Sequence, residues 1–555
     1  MKFILTVLFA ACLIFSPLAQ AAATGEHGMV VTAQHLATQT GVDVLKRGGN
    51  AVDAAVAVGY ALAVTYPAAG NLGGGGFMTI VLADGRKTFI DFREKAPLAA
   101  TARMYLDADG NVIKGASTLG HLAVAVPGTV AGLETAREKY GTMRRAELIA
   151  PAIRHAREGF ILDAGDVRMF NYASVALSKD PASAAIFLNH GEAFRAGDKL
   201  VQKDLADTLQ RISRHGVDGF YKGSVAAALV ASSQAGGGIL TQADLDQYAV
   251  REFAPIECNY RGHEIISAPP PSSGGVTLCE MLNVLEGYPL RDWGYRSARA
   301  VQVQIETMRH AYADRNRYLG DPDFVNNPLD RLLSKDYAAE VRAQIAPDKA
   351  GVSADMGTPA QEGSNTTHYS IIDQWGNAVS VTYTLNGWFG AKVTAGGTGV
   401  LLNNEMDDFT AKPGVPNQFG LVQDEPNEIA PGKRPLSSMS PTVVMKNGKP
   451  MLILGTPGGS RIITMTLLTM LNVIDYGMDI QSAVDAPRFH QQWLPEATGL
   501  EPDAISADVR ATLEGYGQQF TERQPSGHMA VILVEEGRYP GANDERNGTG
   551  LALGY

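Results

Sequence analysis

Asn365-Thr366-Thr367-His368-Tyr369-Ser370 is the stretch on which the reading of this chain turns. Before it runs Ser353-Ala354-Asp355-Met356-Gly357-Thr358-Pro359-Ala360-Gln361-Glu362-Gly363-Ser364, which has no apolar period and the composition of an exposed linker. After it, Tyr369 to Ile372 and Ala378 to Thr384 read as two strands joined across Asp373-Gln374-Trp375-Gly376-Asn377. Most threonines that enter a strand are there as β-formers. At a junction of linker and strand, however, cleavage before Thr366 would free an α-amine beside its hydroxyl. That one residue would then hold both a nucleophile and a base.

The remainder of the chain limits what such a threonine serves. Lys2, the apolar run Phe3 to Phe15, the break at Ser16-Pro17 and the small-x-small site Ala19-Gln20-Ala21 form an export signal over residues 1–21. The run is shorter than the ~20 residues needed to span a bilayer. The expected mature protein is therefore exported, periplasmic or secreted, without a membrane anchor. The formal charge of −11 argues against nucleic acid as a partner and against an anionic membrane surface. Eleven histidines are scattered singly, with no His-Glu-x-x-His and no Cys-x-x-Cys, so no metal or other cofactor is indicated. Of three cysteines, Cys12 leaves with the signal. Cys258 and Cys279 flank a Pro-Pro-Pro-Ser-Ser-Gly-Gly loop; a bridge is open to them, with buried free thiols the favoured reading.

Helix patterns occupy Ala33 to Arg47 and Ala51 to Val64, split by Gly48-Gly49-Asn50, a helix stop followed by a polar cap. Strand patterns follow at Met78 to Leu82 and Thr88 to Asp91, helices dominate Thr129 to Lys203, and strands return at Ile256 to Ser267. Val276 to Glu286 and Ala298 to Asp314 read as helices, and strand density rises beyond Thr366. The chain reads as one large α/β unit whose most exposed seam precedes Thr366.

Three glycine-rich loops stand out: Gly70 to Gly76, Pro271 to Gly275, and Gly455-Thr456-Pro457-Gly458-Gly459-Ser460-Arg461. None has the Gly-Lys-Ser/Thr ending of a phosphate-binding loop or the spacing of a dinucleotide site. The third follows a strand, Met451 to Leu454, and precedes a helix, Ile462 to Met470. It would present backbone N–H groups at a helix N-terminus, which suits an oxyanion. Arg93 just past a strand, the acids and amides of Asn403 to Phe409, and Arg434-Pro435-Leu436-Ser437-Ser438 would together suit a zwitterion. Arginine and hydroxyls fit its carboxylate, and acids fit its ammonium. Composition does not show that these groups converge.

Through these residues the chain resembles the γ-glutamyltransferases (γ-glutamyltranspeptidases) of the exported bacterial type. The likeness runs through Gly70 to Phe77, Asp91 to Pro97, Pro269 to Gly275, Tyr312 to Arg315, Thr366 to Ser370, Thr382 to Asn386, Leu401 to Phe409, Lys433 to Pro441 and Gly455 to Ile463. The resemblance implies a four-layer αββα N-terminal nucleophile hydrolase fold, built jointly by a large subunit (22–365) and a small subunit (366–555) cut from one precursor at Asn365–Thr366. It implies that Thr366 is nucleophile in both cleavage and catalysis, with Thr384 assisting and Gly458 and Gly459 forming the oxyanion hole. It assigns Arg93, Ser437 and Ser438 to the substrate α-carboxylate, and Asn386, Glu405 and Asp408 to its α-ammonium. Pro413 to Arg434 aligns with a lid over the site. The implied substrates are glutathione and other γ-glutamyl compounds, with water, amino acids or dipeptides as acceptors.

Two rivals remain in view. An acylase for glutaryl-type β-lactam side chains would share the superfamily, but its substrate lacks the ammonium that Glu405 and Asp408 suit. A non-catalytic exported glutathione- or peptide-binding protein would keep an uncut chain.

Overall fold

The computed structural model describes residues 22–70, 72–353, 366–544, 546 and 548–555. The export signal, the linker from Ala354 onward and Asn365 lie outside the described residues. Two seven-stranded antiparallel sheets face one another. The hairpin of Thr366–Ile372 and Ala378–Thr384 lies at the middle of one sheet, flanked by Met29–Thr32 and Gly75–Val81. Its register pairs Thr366 with Thr384. The expected turn closes it: the Asp373 carboxylate accepts from the N–H groups of Trp375 and Asn377. Its other oxygen accepts from the Ala51 N–H, which fixes the hairpin to the start of the helix Ala51–Thr65.

Strand alternation sorts the hairpin's side chains into layers. Tyr369, Ile371, Val379, Val381 and Tyr383 join the cluster beneath the helices His35–Lys46 and Ala51–Thr65. Ile372 and Ala378 face the other sheet, meeting Val443, Ile453 and Ile532. A third cluster packs that second sheet against the helices Gly274–Leu285, Ala298–Tyr318 and Ile462–Ile474. The order of layers is therefore helix, sheet, sheet, helix, as the resemblance implied. Both sheets mix strands from before and after Thr366, so neither half of the chain completes a sheet alone. Among the described residues, no helix is long and apolar enough to cross a membrane.

The inner face of the hairpin is polar toward its Thr366 end. Thr366 faces Thr384, His368 faces Thr382 and Ser370 faces Ser380, before Ile372 and Ala378 turn apolar. His368 hydrogen-bonds Thr382 Oγ1 at 2.8 Å and Ser370 Oγ at 3.1 Å. Burial pushes the imidazole down to about 3, so it is neutral at physiological pH. Ser370 and Ser380 donate across to Ala530 and Leu454 carbonyls of the opposite sheet. The polar groups of this face are thereby satisfied inside a buried layer.

One expectation is overturned. Cys258 and Cys279 form a disulfide, with Cα atoms 6.0 Å apart, instead of standing as buried free thiols. The loop between them folds back on itself, so the strand Ile256–Tyr260 runs beside the helix Gly274–Leu285 that packs over it. Sequence spacing alone does not reveal that return.

Candidate active site

Thr366 lies at the start of its strand, 5 % exposed. Its Oγ1 is 3.3 Å from Thr384 Oγ1, and the Asn386 N–H donates to that same Thr384 hydroxyl at 2.8 Å. Thr384 thus joins the first strand residue to the loop that leaves the second. Asn386 takes a positive φ of 71° and donates through Nδ2 to the Asn404 carbonyl. Asparagine tolerates that left-handed geometry better than most residues.

The first glycine run has a steric reason. A β-carbon on Gly74 would lie 1.9 Å from the Thr384 carbonyl oxygen, and one on Gly73 2.0 Å from that of Leu401. These glycines let three backbones approach beside the threonine pair. Asn403 completes the brace, donating from Nδ2 to the Gly73 and Ala125 carbonyls and accepting from the Glu405 N–H. The short turn Glu405–Asp408 is held there.

Arg93 is wholly buried. Its guanidinium pairs with Glu405, and with Asp408 at 2.5 Å, while Glu94 stands 3.7 Å away. One cation therefore faces three carboxylates. Burial acts to lower the Arg93 pKa, but the charges of Glu405, Asp408 and Glu94 outweigh it and raise it. Burial raises the Glu405 carboxyl well above the usual range, Arg93 opposes the rise, and the charges of Glu94 and Asp408 add to it. The residues nominated for opposite ends of a zwitterion thus neutralise one another here. Arg434, from the arginine-serine motif, does different work. It pairs with Asp91 and donates to the Asp91 and Ala249 carbonyls, holding up the end of the strand Lys87–Phe92 that leads into Arg93. Asp407 likewise turns aside, accepting from Ser117 Oγ and from the Gln418 N–H.

Ser437 and Ser438 are positioned by the second glycine loop. Ser273 donates from both N–H and Oγ to the Ser437 carbonyl, and Ser272 Oγ donates to that of Met439. The third loop ends the strand Lys449–Gly455 and winds through the turn Gly459–Arg461 into the helix Ile462–Ile474. Neither turn nor helix has a side-chain cap. Its first backbone N–H groups keep the helix dipole's positive end toward the site. Gly458 and Gly459 have φ of +151° and +57°, conformations that side chains strain to adopt.

A cavity of about 20 Å³ gathers Arg93, Thr366, Thr384, Asn386, Glu405, Asp408, Ser437, Ser438 and Gly459 on its wall. Gly458 directly precedes Gly459 of this wall, and a β-carbon on it would collide with the Met465 methyl. The space holds little more than one water. The segment 413–434 closes it: Phe419 and Leu421 are buried on the cavity wall, and a β-carbon on Gly459 would lie 2.5 Å from the Phe419 ring. Asn427 anchors the segment by donating to the Asp408 carbonyl at 2.6 Å. The sequence assigned no role to Arg315, which also lines the cavity. Its signal was a charge in step with Met308, Ala311 and Tyr312 on the buried face of its helix.

The gamma-glutamyltranspeptidase family model matches residues 37–554. A glutathione hydrolase proenzyme of Pseudomonas sp. (strain A14) is 66 % identical over 549 residues, covering 97 % of this chain and 96 % of its own. The glutathione hydrolase proenzyme of Escherichia coli (strain K12) is 49 % identical over 538 residues, covering 96 % and 92 %. Among solved structures, a cephalosporin acylase from Bacillus halodurans superimposes with a TM-score of 0.86 at 27 % identity, covering 99 % of each chain.

Proposed function

Because this chain belongs to the γ-glutamyltranspeptidase family, we propose that it is an exported, self-processing glutathione hydrolase that divides into subunits 22–365 and 366–555. The observation that carries this reading is the Thr366–Thr384 pair sharing one cavity with Arg93, Glu405 and Asp408. A nucleophile stands beside a charge set that suits an amino-acid head group. The mixed sheets agree with two subunits that stay associated as a heterodimer after the cut.

In maturation, Thr366 Oγ1 attacks the Asn365 carbonyl carbon, the C–N bond to Thr366 breaks, and the nitrogen leaves protonated as the new α-amine. The resulting ester is hydrolysed by water, which returns the Thr366 hydroxyl and leaves Asn365 with a carboxylate. The freed amine has an ordinary pKa of ~8, so a neutral fraction near physiological pH accepts the hydroxyl proton. Thr366 Oγ1 then attacks the γ-amide carbonyl of glutathione or another γ-glutamyl compound. Gly458 and Gly459 N–H groups receive the oxyanion, and Thr384 steadies the nucleophile. The amine of the leaving half departs with the proton, and a γ-glutamyl ester remains on Thr366. Water, an amino acid or a dipeptide amine takes the γ-glutamyl group. The substrate ammonium displaces Arg93 from Glu405 and Asp408, with Asn386 as third partner. The carboxylate takes Arg93 together with Ser437 and Ser438. The paired acids favour this substrate over a glutaryl side chain, which would leave two buried carboxylates without a cation.

Denaturing electrophoresis and a glutathione assay test the reading together. The wild type should give two bands and release glutamate, and Thr366→Ala should give one band and none. A single full-length wild-type band with glutathione untouched would point to the binding-protein alternative.

A further inference from the structure

Arg315 sits in the last turn of the 21-residue helix Ala298–Tyr318 and is 1 % exposed. Among the described residues, no carboxylate lies within ion-pair distance of it; its hydrogen-bond partners are neutral. Nε donates to Ser273 Oγ at 2.9 Å, and Nη1 to Asn316 Oδ1 at 2.7 Å and to Gln423 Oε1 at 3.4 Å. Nη2 donates to Ser438 Oγ at 3.0 Å. Burial lowers its pKa to about 10, so it remains a cation at neutral pH. A buried guanidinium without a direct ion-pair partner is costly; the charge of Asp408 favours this one only from farther off, and it lies on the cavity wall.

The hydroxyl it reaches is constrained by that bond. An arginine N–H can only donate, so Ser438 Oγ accepts from Arg315 and must turn its own hydrogen elsewhere. Ser273 behaves in the same way, accepting from Arg315 while donating to the Ser437 carbonyl. For Ser438 the open direction is the cavity that its side chain helps to line.

We propose that Arg315 is a positioning residue for the substrate carboxylate: its bond to Ser438 Oγ sets that hydroxyl as a donor into the cavity, and its charge supplies a second buried cation behind Arg93. This rests on the assignment of Ser438 to the α-carboxylate. The charge-assisted bond holds Ser438 in one rotamer before substrate arrives, and the incoming anion adds to the distant charge of Asp408 as a counter-charge for this guanidinium. Through Gln423 the same guanidinium touches the covering segment, so closure and carboxylate recognition meet at one side chain.

The test is a double-mutant cycle of Arg315→Met and Ser438→Ala, read on the cleaved enzyme with γ-glutamyl-p-nitroanilide. Arg315→Met should raise KM by about 10- to 30-fold, with kcat changed less than about threefold. In the Ser438→Ala background the same change should cost distinctly less, about two- to fivefold, the part that the lost charge alone supplies. Arg315→Lys, which keeps the charge but not the planar fork, should recover part of the loss. Full additivity of the two substitutions, or a fall in kcat with KM unchanged, would overturn the proposal. So would failure of both Arg315 variants to fold and cleave, since the residue would then serve the fold and not recognition. If Ser438→Ala alone leaves KM unchanged, the fault lies in the assignment of Ser438; an effect of Ser438→Ala with none of Arg315→Met refutes only the role of Arg315.

Discussion

Replacing Asp408 with asparagine tests the electrostatic reading of the cavity at one atom. In the free protein Asp408 Oδ2 lies 2.5 Å from Arg93 Nη2, and its side chain is 13 % exposed. The substitution leaves Arg93 paired to Glu405 and removes one of the carboxylates offered to the substrate ammonium. Truncating one member of a buried, hydrogen-bonded charge pair costs about 2–5 kcal/mol, or about 30- to 4,000-fold in affinity at 1.4 kcal/mol per decade. Two features favour the lower end. Glu405 still faces the ammonium, and the Arg93–Asp408 bond that substrate must displace is already gone. Initial rates with γ-glutamyl-p-nitroanilide should therefore show KM raised by about 30- to 100-fold and kcat changed by less than about fivefold, the pattern of lost uniform binding. Self-cleavage should proceed, because Asp408 is not needed for attack on Asn365. An unchanged KM with a collapsed kcat would refute the reasoning, placing Asp408 in the chemical step instead of ammonium recognition.

Other outcomes follow from the same geometry. Burial raises the Glu405 carboxyl well above the usual carboxylate range, and an incoming ammonium favours its ionised form. Binding is therefore strong above the raised Glu405 pKa and weakens as pH falls through it, so KM should rise toward acid pH, by at most about tenfold per unit per proton; glutaryl-p-nitroanilide, lacking the ammonium, should show no such rise. Gly459→Ala puts a β-carbon 2.5 Å from the Phe419 ring at a φ of +57°. It should lower kcat by about 10- to 100-fold, with partial recovery when Phe419→Ala makes room, and no recovery would count against steric displacement. Removing the Cys258–Cys279 bridge by the paired change Cys258→Ala and Cys279→Val opens a loop of sequence separation 21. Loop entropy predicts a stability loss of about 3 kcal/mol, measured as a lower denaturant midpoint, with turnover at 25 °C unaltered.

Much of the framework was legible because local pattern decides it. The helix expected over Ala33 to Arg47 is found at His35–Lys46, and that over Ala51 to Val64 at Ala51–Thr65. The hairpin after Thr366 appears with its turn where Asp373 allows it, and its first strand begins three residues earlier than the apolar pattern, at Thr366 itself. Of those three, Thr366 and His368 face a buried polar layer, which hydrophobic periodicity does not register. What the residues alone could not give was convergence. Arg93 and Glu405 are 312 positions apart, and only the tertiary fold makes them partners. That fold also turned Arg434 from a ligand candidate into a support for Asp91, and brought Cys258 to Cys279. Arg315 was passed over because it lies one residue beyond the helix expected over Ala298 to Asp314, which runs on to Tyr318 and buries it.

The central claim is that Thr366 acts first on its own chain and then on a γ-glutamyl amide. The direct measurement is the mass of the small chain after acid quench during glutathione turnover, with the modified peptide sequenced. The account predicts a chain beginning at Thr366 that carries one γ-glutamyl group on the Thr366 oxygen. A cut at another bond, or a γ-glutamyl group on a different residue, would contradict it.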